Sequence, residues 1–256
     1  MERDWQDLPP YRAVLAVDTR NFSALDSEAQ REVNSGIREV LRSALDVIGL
    51  STEWRKHDFG QHTGDGYVGG LVPTCLPGLI GSFPAALSEA LRQWKPRGNV
   101  ADPVQLRVSV HVGPLDETGI GDPMVHTHRL LDENSLRRVL DRADPQITNV
   151  AVVISDRVYE DVFRSGVRTG QTVAGHYREQ IAKVKAFERP AWIHVPGLDW
   201  RLVDPELFEP PVPAEPAEQP SPKSAEKPSM TFSQQGDGTL FQGYKVTAHV
   251  TGGRDD

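Results

Sequence analysis

One cysteine, Cys75, stands in 256 residues, so no intrachain disulfide can form and none is expected of a cytoplasmic chain. Set between Thr74 and Leu76 beside an apolar run, it reads as a packed residue and not a reactive thiol. No apolar run approaches the roughly 20 residues that cross a bilayer. The opening MERDWQDLPP lacks the apolar centre of a secretory signal. A cytoplasmic protein without membrane contact is therefore expected. Basic charge is also scarce: 28 Lys and Arg face 36 Asp and Glu, a net charge of -8. That balance argues against general affinity for a nucleic-acid backbone. A nucleotide ligand is still admissible, because it needs only a few local donors and cations. The eight histidines form no Cys/His zinc pattern, and neither a G-x-x-x-x-G-K-[ST] phosphate loop nor a G-x-S-x-G elbow occurs.

What is present suits a globular α/β domain: 38% hydrophobic and 25% charged residues. Residues 13–17, AVLAV, form a continuous apolar run, the pattern of a strand buried on both faces. Val33, Ile37, Val40, Leu41, Leu45 and Ile48 recur at helical spacing and predict a helix over 26–48. Two strands, 52–60 and 67–72, flank HTGDGY, whose Asp-Gly signals a hairpin. A helix is predicted over 77–94, with Pro84 in a first turn or at a break. Leu106, Val108, Val110 and Val112 alternate within a strand over 104–113. A helix over 124–142 follows, then a strand at 149–155, a short helix at 156–164, and strands at 176–186 and 191–195. The first six elements predict a ferredoxin-like βαββαβ core, extended by αβαββ, in an α+β fold with helices packed on a mixed sheet.

The predicted domain runs over 11–200, after an N-terminal tail of residues 1–10. Residues 201–231, rich in Pro, Glu and Ala, predict a disordered linker. In 232–256 apolar residues fall on even positions (Leu240, Tyr244, Val246, Ala248, Val250), which predicts a short strand or hairpin. Such a piece cannot form a core alone. It docks on a sheet edge, stays disordered or self-assembles; it loosely resembles the motifs by which bacterial immune proteins form amyloid-like signalling assemblies.

Two aspartates carry the functional reading. Asp18 ends the first strand, and Asp65 sits at the tip of the hairpin between the second and third. In a split βαβ sheet the first strand lies antiparallel beside the third, so the two carboxylates are expected to meet. Close carboxylates repel unless a proton or cation lies between them. Oxygen ligands of this kind suit Mg²⁺ or Mn²⁺, and two such ions can clamp a triphosphate. Between Asp18 and the helix, TRNFS predicts a turn that offers backbone N–H groups to phosphate oxygens, together with the helix N-terminus. Gly64 and Gly66 keep side chains off the hairpin tip, where a large ligand can approach the backbone.

These residues resemble the class III nucleotidyl cyclase homology domain. Asp18, Phe22 and Ser23 match its first-strand motif, with Asn21 in place of the usual glycine, and Gly64-Asp65-Gly66 matches its hairpin motif. LRVSVHVGP, VHTHRLLD, VVISDRVYEDV and IAKVKAFERPAWIHVPG are similar to its later segments, so the resemblance covers 11 to about 198. It implies that Asp18 and Asp65 bind two divalent cations, Mg²⁺ or Mn²⁺, and that the ribose 3′-hydroxyl of a nucleoside triphosphate is joined to the α-phosphate with release of pyrophosphate. It also implies a homodimer with its sites at the interface. Arg129 is the residue implied for the triphosphate and Lys185 for phosphate contact. His126 stands nearest the place of a ribose-positioning asparagine, three residues rather than four before Arg129. Gln61 stands where purine cyclases carry a base-reading lysine. Small bacterial relatives that make cyclic pyrimidine nucleotides in anti-phage signalling, the Pycsar type, are similar in lacking that lysine; cUMP or cCMP, read by a downstream effector protein, is the corresponding expectation. The alternative is a cyclase-like module without turnover that binds a nucleotide or partner.

Overall fold

The apolar run at the start of the chain is a strand with both faces covered. In the computed structural model, which describes residues 5–97, 100 and 103–204, it is β1 (Tyr11–Thr19). There follow α1 (Ser27–Val47), α2 (Ser51–Arg55), β2 (Asp58–His62), β3 (Gly66–Leu71), α3 (Leu76–Ile80), α4 (Phe83–Gln93) and β4 (Leu106–Pro114). The second half contains α5 (Asp122–Leu131), α6 (Asn134–Arg142), β5 (Val150–Ser155), α7 (Asp156–Tyr159), β6 (Arg178–Val184) and β7 (Phe187–His194). The strands form one mixed sheet in the order β2-β3-β1-β4-β5-β7-β6. β1 is antiparallel to both β3 and β4, and β4 is parallel to β5. This is the split βαβ arrangement in an α+β fold.

Each face of the sheet is covered by helices. Odd-numbered β1 residues Leu15 and Val17 join Val108 and Val110 of β4 against Val33, Ile37 and Leu41 of α1 and Leu87 of α4. On the opposite face, Val14 and Ala16 pack with Val68, Leu115 and Leu131. Farther along that face, Leu136 and Leu140 of α6 cover Ala151, Val153 and Ile193. Burying both faces of β1 is what demands its unbroken apolar sequence.

Three elements differ from the predicted ones. Residues 51–55 form α2 and not the start of a strand; Trp54, 7% exposed, anchors the turn in the core and stacks on His57 at 4.3 Å. One apolar residue in STEWRK supplies no alternation to hold a strand, and Glu53 and Arg55 suit the ends of a helix. The predicted helix 77–94 is two helices that meet at Gly81 and Ser82, with Pro84 in the first turn of α4. The predicted helix 124–142 breaks at Asp132 and Glu133, because the Glu133 carboxylate caps α6 by accepting from the Leu136 N–H at 3.0 Å. No helix among the described residues is long and apolar enough to cross a membrane. Most of the predicted linker and all of the 232–256 motif lie outside the described residues.

His194 is buried and His111 half-buried in this scaffold. Burial pushes His194 down to about 4, although its Nδ1–H donates to the His176 carbonyl at 3.1 Å. Burial likewise pushes His111 down to about 4, assisted by His126 and Arg157; its Nδ1 lies 2.8 Å from Ser155 Oγ. A histidine with a depressed folded-state pKa stabilises the fold above its unfolded value of about 6.5, and that contribution is lost as pH falls toward 4. Unfolding free energy should thus decline from pH 7 to pH 4.5, and His194→Gln should flatten the decline by up to roughly 3 kcal/mol in urea titrations. An unchanged pH slope in that variant would contradict the assignment.

Candidate functional site

The β1–β3 register sets Asp18 opposite Gly66. Beyond the last pair, the Thr19 N–H donates to the Asp65 carbonyl at 2.9 Å, which ties the hairpin tip to the end of β1. Gly64 carries φ +94° at the first central position of the turn, where a positive φ is needed. Gly66 has a different task from the one expected: a Cβ there would lie 1.9 Å from the Val17 carbonyl oxygen. Its bare backbone serves the close approach of β1 to β3, and this contact brings the two aspartates together.

Asp18 is 8% exposed, and both its oxygens are engaged by a residue that the sequence motifs do not single out. Arg107, directly opposite on β4, donates from Nε at 2.7 Å and from an Nη at 2.6 Å. The resulting bidentate pair is charge-assisted and geometrically specific. Burial pushes the Asp18 carboxyl up to about 6; Arg107 opposes the rise, and the Asp65 charge adds to it. A signal for this pair was present in LRVSV: an arginine inside a buried apolar strand requires a counter-charge.

A cavity of about 330 Å³ opens beside the pair. Its walls include Thr19, Asp65, Arg107 and the turn Arg20–Ser23, which brings Phe22 and Ser23 to it. Asn21 holds φ 56° and ψ 26°, a left-handed conformation that asparagine tolerates, which accounts for its use in place of glycine. The turn closes through Ala24 N–H to Asn21 O and Leu25 N–H to Phe22 O. The α1 N-terminus is not offered to a ligand as predicted: the Asp26 carboxylate already accepts from the N–H groups of Glu28 and Ala29. The turn itself therefore carries the backbone donors.

Two further arginines line the cavity. Arg20 donates to Asp141 of α6 at 2.7 Å and to Gln105 at 2.6 Å. Arg137, also on α6, pairs with Asp132 at 2.5 Å, and its charge acts on Asp18. The break between α5 and α6 is what swings this second helix across the site.

The remaining expected residues lie elsewhere in the chain. Gln61 is exposed on the edge strand β2, paired with Val68. His126 packs its ring 5.3 Å from both His111 and Phe187. Lys185, with φ 55°, is exposed in the β6–β7 turn. Strand directions put that turn at the end of the sheet opposite Asp18. Arg129 is half-buried on α5 and outside the cavity wall. Four residues after His126 stands Leu130, 1% exposed in the core, so Arg129 falls about 100° around the helix from that position.

The donor set at the cavity fits a hard divalent cation. Asp65 provides a carboxylate on the wall, Asp18 a second one behind Arg107, and the buried Thr19 hydroxyl has no hydrogen-bond partner among the described residues. No group of three or more His, Cys, Asp or Glu among the described residues could hold an ion. Any ion must complete its coordination with ligand or water oxygens, which is the usual habit of Mg²⁺.

No family profile and no curated protein matches the chain. Several solved structures are similar in fold. The guanylate cyclase domain of RhGC from Catenaria anguillulae, in complex with GTP, is 13% identical with a TM-score of 0.47, over 74% of this chain and 98% of that one. A bacterial light-regulated adenylyl cyclase is 12% identical with a TM-score of 0.49, over 72% of this chain and 51% of that one. The adenylyl cyclase CyaB from P. aeruginosa is 15% identical with a TM-score of 0.43, over 72% and 92%.

Removing one member of a buried ion pair strands the other. Arg107→Leu should cost about 3–5 kcal/mol, measured by chemical unfolding, while Asp18→Leu combined with Arg107→Leu should recover most of that loss. Equal costs for the single and double variants would show that the pair has no structural coupling.

Proposed function

We propose that the chain is a nucleotidyl cyclase that depends on Mg²⁺ or Mn²⁺. The observation that carries this reading is a cavity walled by Asp65, Arg20, Arg107 and Arg137, with the Asp18 carboxylate held behind Arg107. Two carboxylates alone would suit a cation. Three guanidiniums beside them suit a ligand that is itself strongly anionic, and a triphosphate supplies several oxyanions within one molecule. The motif resemblance through Asp18, Phe22, Ser23 and Gly64-Asp65-Gly66 points to the same chemistry. In the reaction the ribose 3′ oxygen bonds to the α-phosphorus as the bond from that phosphorus to the pyrophosphate oxygen breaks; the hydroxyl proton passes to solvent. Bound divalent cations, held by Asp18 and Asp65, would supply charge neutralisation on the reacting phosphates. Arg107 and Arg137 would offset charge on the departing pyrophosphate, and the turn Arg20–Ser23 would hold phosphate oxygens.

The working unit is proposed to be a homodimer. His126 and Lys185 lie toward the end of the sheet opposite Asp18 and Asp65. A two-fold pair can set the far end of one sheet against the near end of its partner and so complete two equivalent sites. Arg129 and Gln61 are assigned to the same composite site. The carboxamide of Gln61 offers both a donor and acceptors to a base edge and no fixed charge. A pyrimidine triphosphate, UTP or CTP, is accordingly the proposed substrate, with the cyclic product read by a downstream effector protein in anti-phage signalling. The proposed location is the cytoplasm.

A second reading, a cyclase-like module without turnover, is favoured by one observation: both Asp18 oxygens are taken by Arg107. One assay separates the two. Purified protein with each of the four NTPs and Mn²⁺ should release pyrophosphate and a cyclic nucleotide, fastest with UTP or CTP, and Asp65→Asn should slow this by at least about 100-fold. Mixing inactive Asp65→Asn and inactive Lys185→Ala proteins should restore about a quarter of wild-type activity, because half of the mixed dimers' sites are intact. No product from any NTP would establish the silent module; activity without restoration on mixing would reject the shared site.

A further inference from the structure

We propose that Arg107 is an exchangeable counter-ion that ties entry of a divalent cation at Asp18 to entry of a polyphosphate in the adjoining cavity. The inference rests on the metal and nucleotide reading above and adds an order and a coupling to it.

The geometry sets the condition. Arg107 closes on both oxygens of Asp18, at 2.7 and 2.6 Å, and each of the two side chains is 11% exposed. A cation arriving alone must therefore displace two charge-assisted hydrogen bonds. It would also leave a guanidinium buried beside a doubly charged ion, without a counter-charge. The acidic groups nearest at hand do not offer a ready replacement. Asp141 is held by Arg20 and Asp132 by Arg137, while Asp65 is the other carboxylate that the cation needs.

A polyphosphate removes the obstacle. Arg107 lines the same cavity as Arg20 and Arg137. It lies where a phosphate oxyanion can take over its fork of N–H donors as the carboxylate is released to the ion. Guanidinium and carboxylate then exchange partners, and neither is left buried alone. The pair thus serves as a placeholder: it satisfies Asp18 and Arg107 in the empty site and gives way to cation and anion together. Because coupling between two ligands is reciprocal, the polyphosphate must raise affinity for the cation by the same factor as the cation raises affinity for the polyphosphate.

The test is direct binding by the full chain. Mn²⁺ affinity is measured by titration with electron paramagnetic resonance, with and without saturating inorganic tripolyphosphate, at matched free Mn²⁺. For the wild type, tripolyphosphate should tighten Mn²⁺ binding at least about tenfold. For Arg107→Gln, Mn²⁺ alone should bind about tenfold tighter than to wild type, and the enhancement should fall below about threefold. Arg107→Lys, which keeps the charge but not the fork, should lie between, and it supplies the comparison if the glutamine variant unfolds. Asp65→Asn should lose Mn²⁺ under both conditions. If Mn²⁺ binds the wild type and is lost in Asp65→Asn, but neither Arg107 variant changes the affinity or the enhancement, the coupling is overturned and the metal site stands. If Mn²⁺ binds no variant under either condition, the metal reading falls and the coupling falls with it.

Discussion

The structure depends on β1 lying antiparallel between β3 and β4 with both faces buried. That placement fixes the partners on each side of the strand's last carboxylate: Gly66 on one side and Arg107 on the other. The glycine lets β3 approach the strand closely, and the arginine supplies the counter-charge that burial of Asp18 demands. Core packing and the charge arrangement at the cavity are thus set by the same strand register. A slip of one residue would turn Asp18 toward α1 and α4 and send Val17 to the site.

The charges at the site are balanced in interlocking pairs. Asp18 with Arg107, Arg20 with Asp141, and Arg137 with Asp132 place cations around a cavity that also contains Asp65. Only the first pair is deeply buried; the Arg137 and Asp132 side chains are each 47% exposed and contribute little to stability. Their value lies in position. α6 carries Arg137 and Asp141 to the cavity only because Glu133 caps a new helix after α5. That change of direction links a local capping event to the electrostatics of the site.

Several parts of this arrangement were legible in the chain. The apolar run of β1, the alternation of β4 and the helical spacing of α1 are short-range patterns that burial imposes directly on sequence. Asp18 and Asp65 were legible as a pair because split βαβ topology brings a strand end to a hairpin tip. Other features depended on competing local effects. STEWRK turned into a helix because Trp54 found a place in the core, and the segment 124–142 divided because a glutamate acted as a cap in place of a helix-interior residue. Asn21 at the glycine position became intelligible only from its left-handed backbone.

By itself the sequence determined the strand and helix patterns, the hairpin turn around Gly64, and the two carboxylates that mark one end of the sheet. These follow from periodicity and from the φ preferences of single residues, which act within a few positions. Tertiary structure decided the partners. Arg107 lies 89 residues from Asp18 in the chain and meets it because two antiparallel strands share a register. His126 and Lys185 were drawn away from the aspartates by the same sheet, whose strand directions send the β6–β7 turn to the opposite end. Charge pairing acts over a few ångströms of space with no regard to sequence separation, so which charges meet is settled only when the sheet closes.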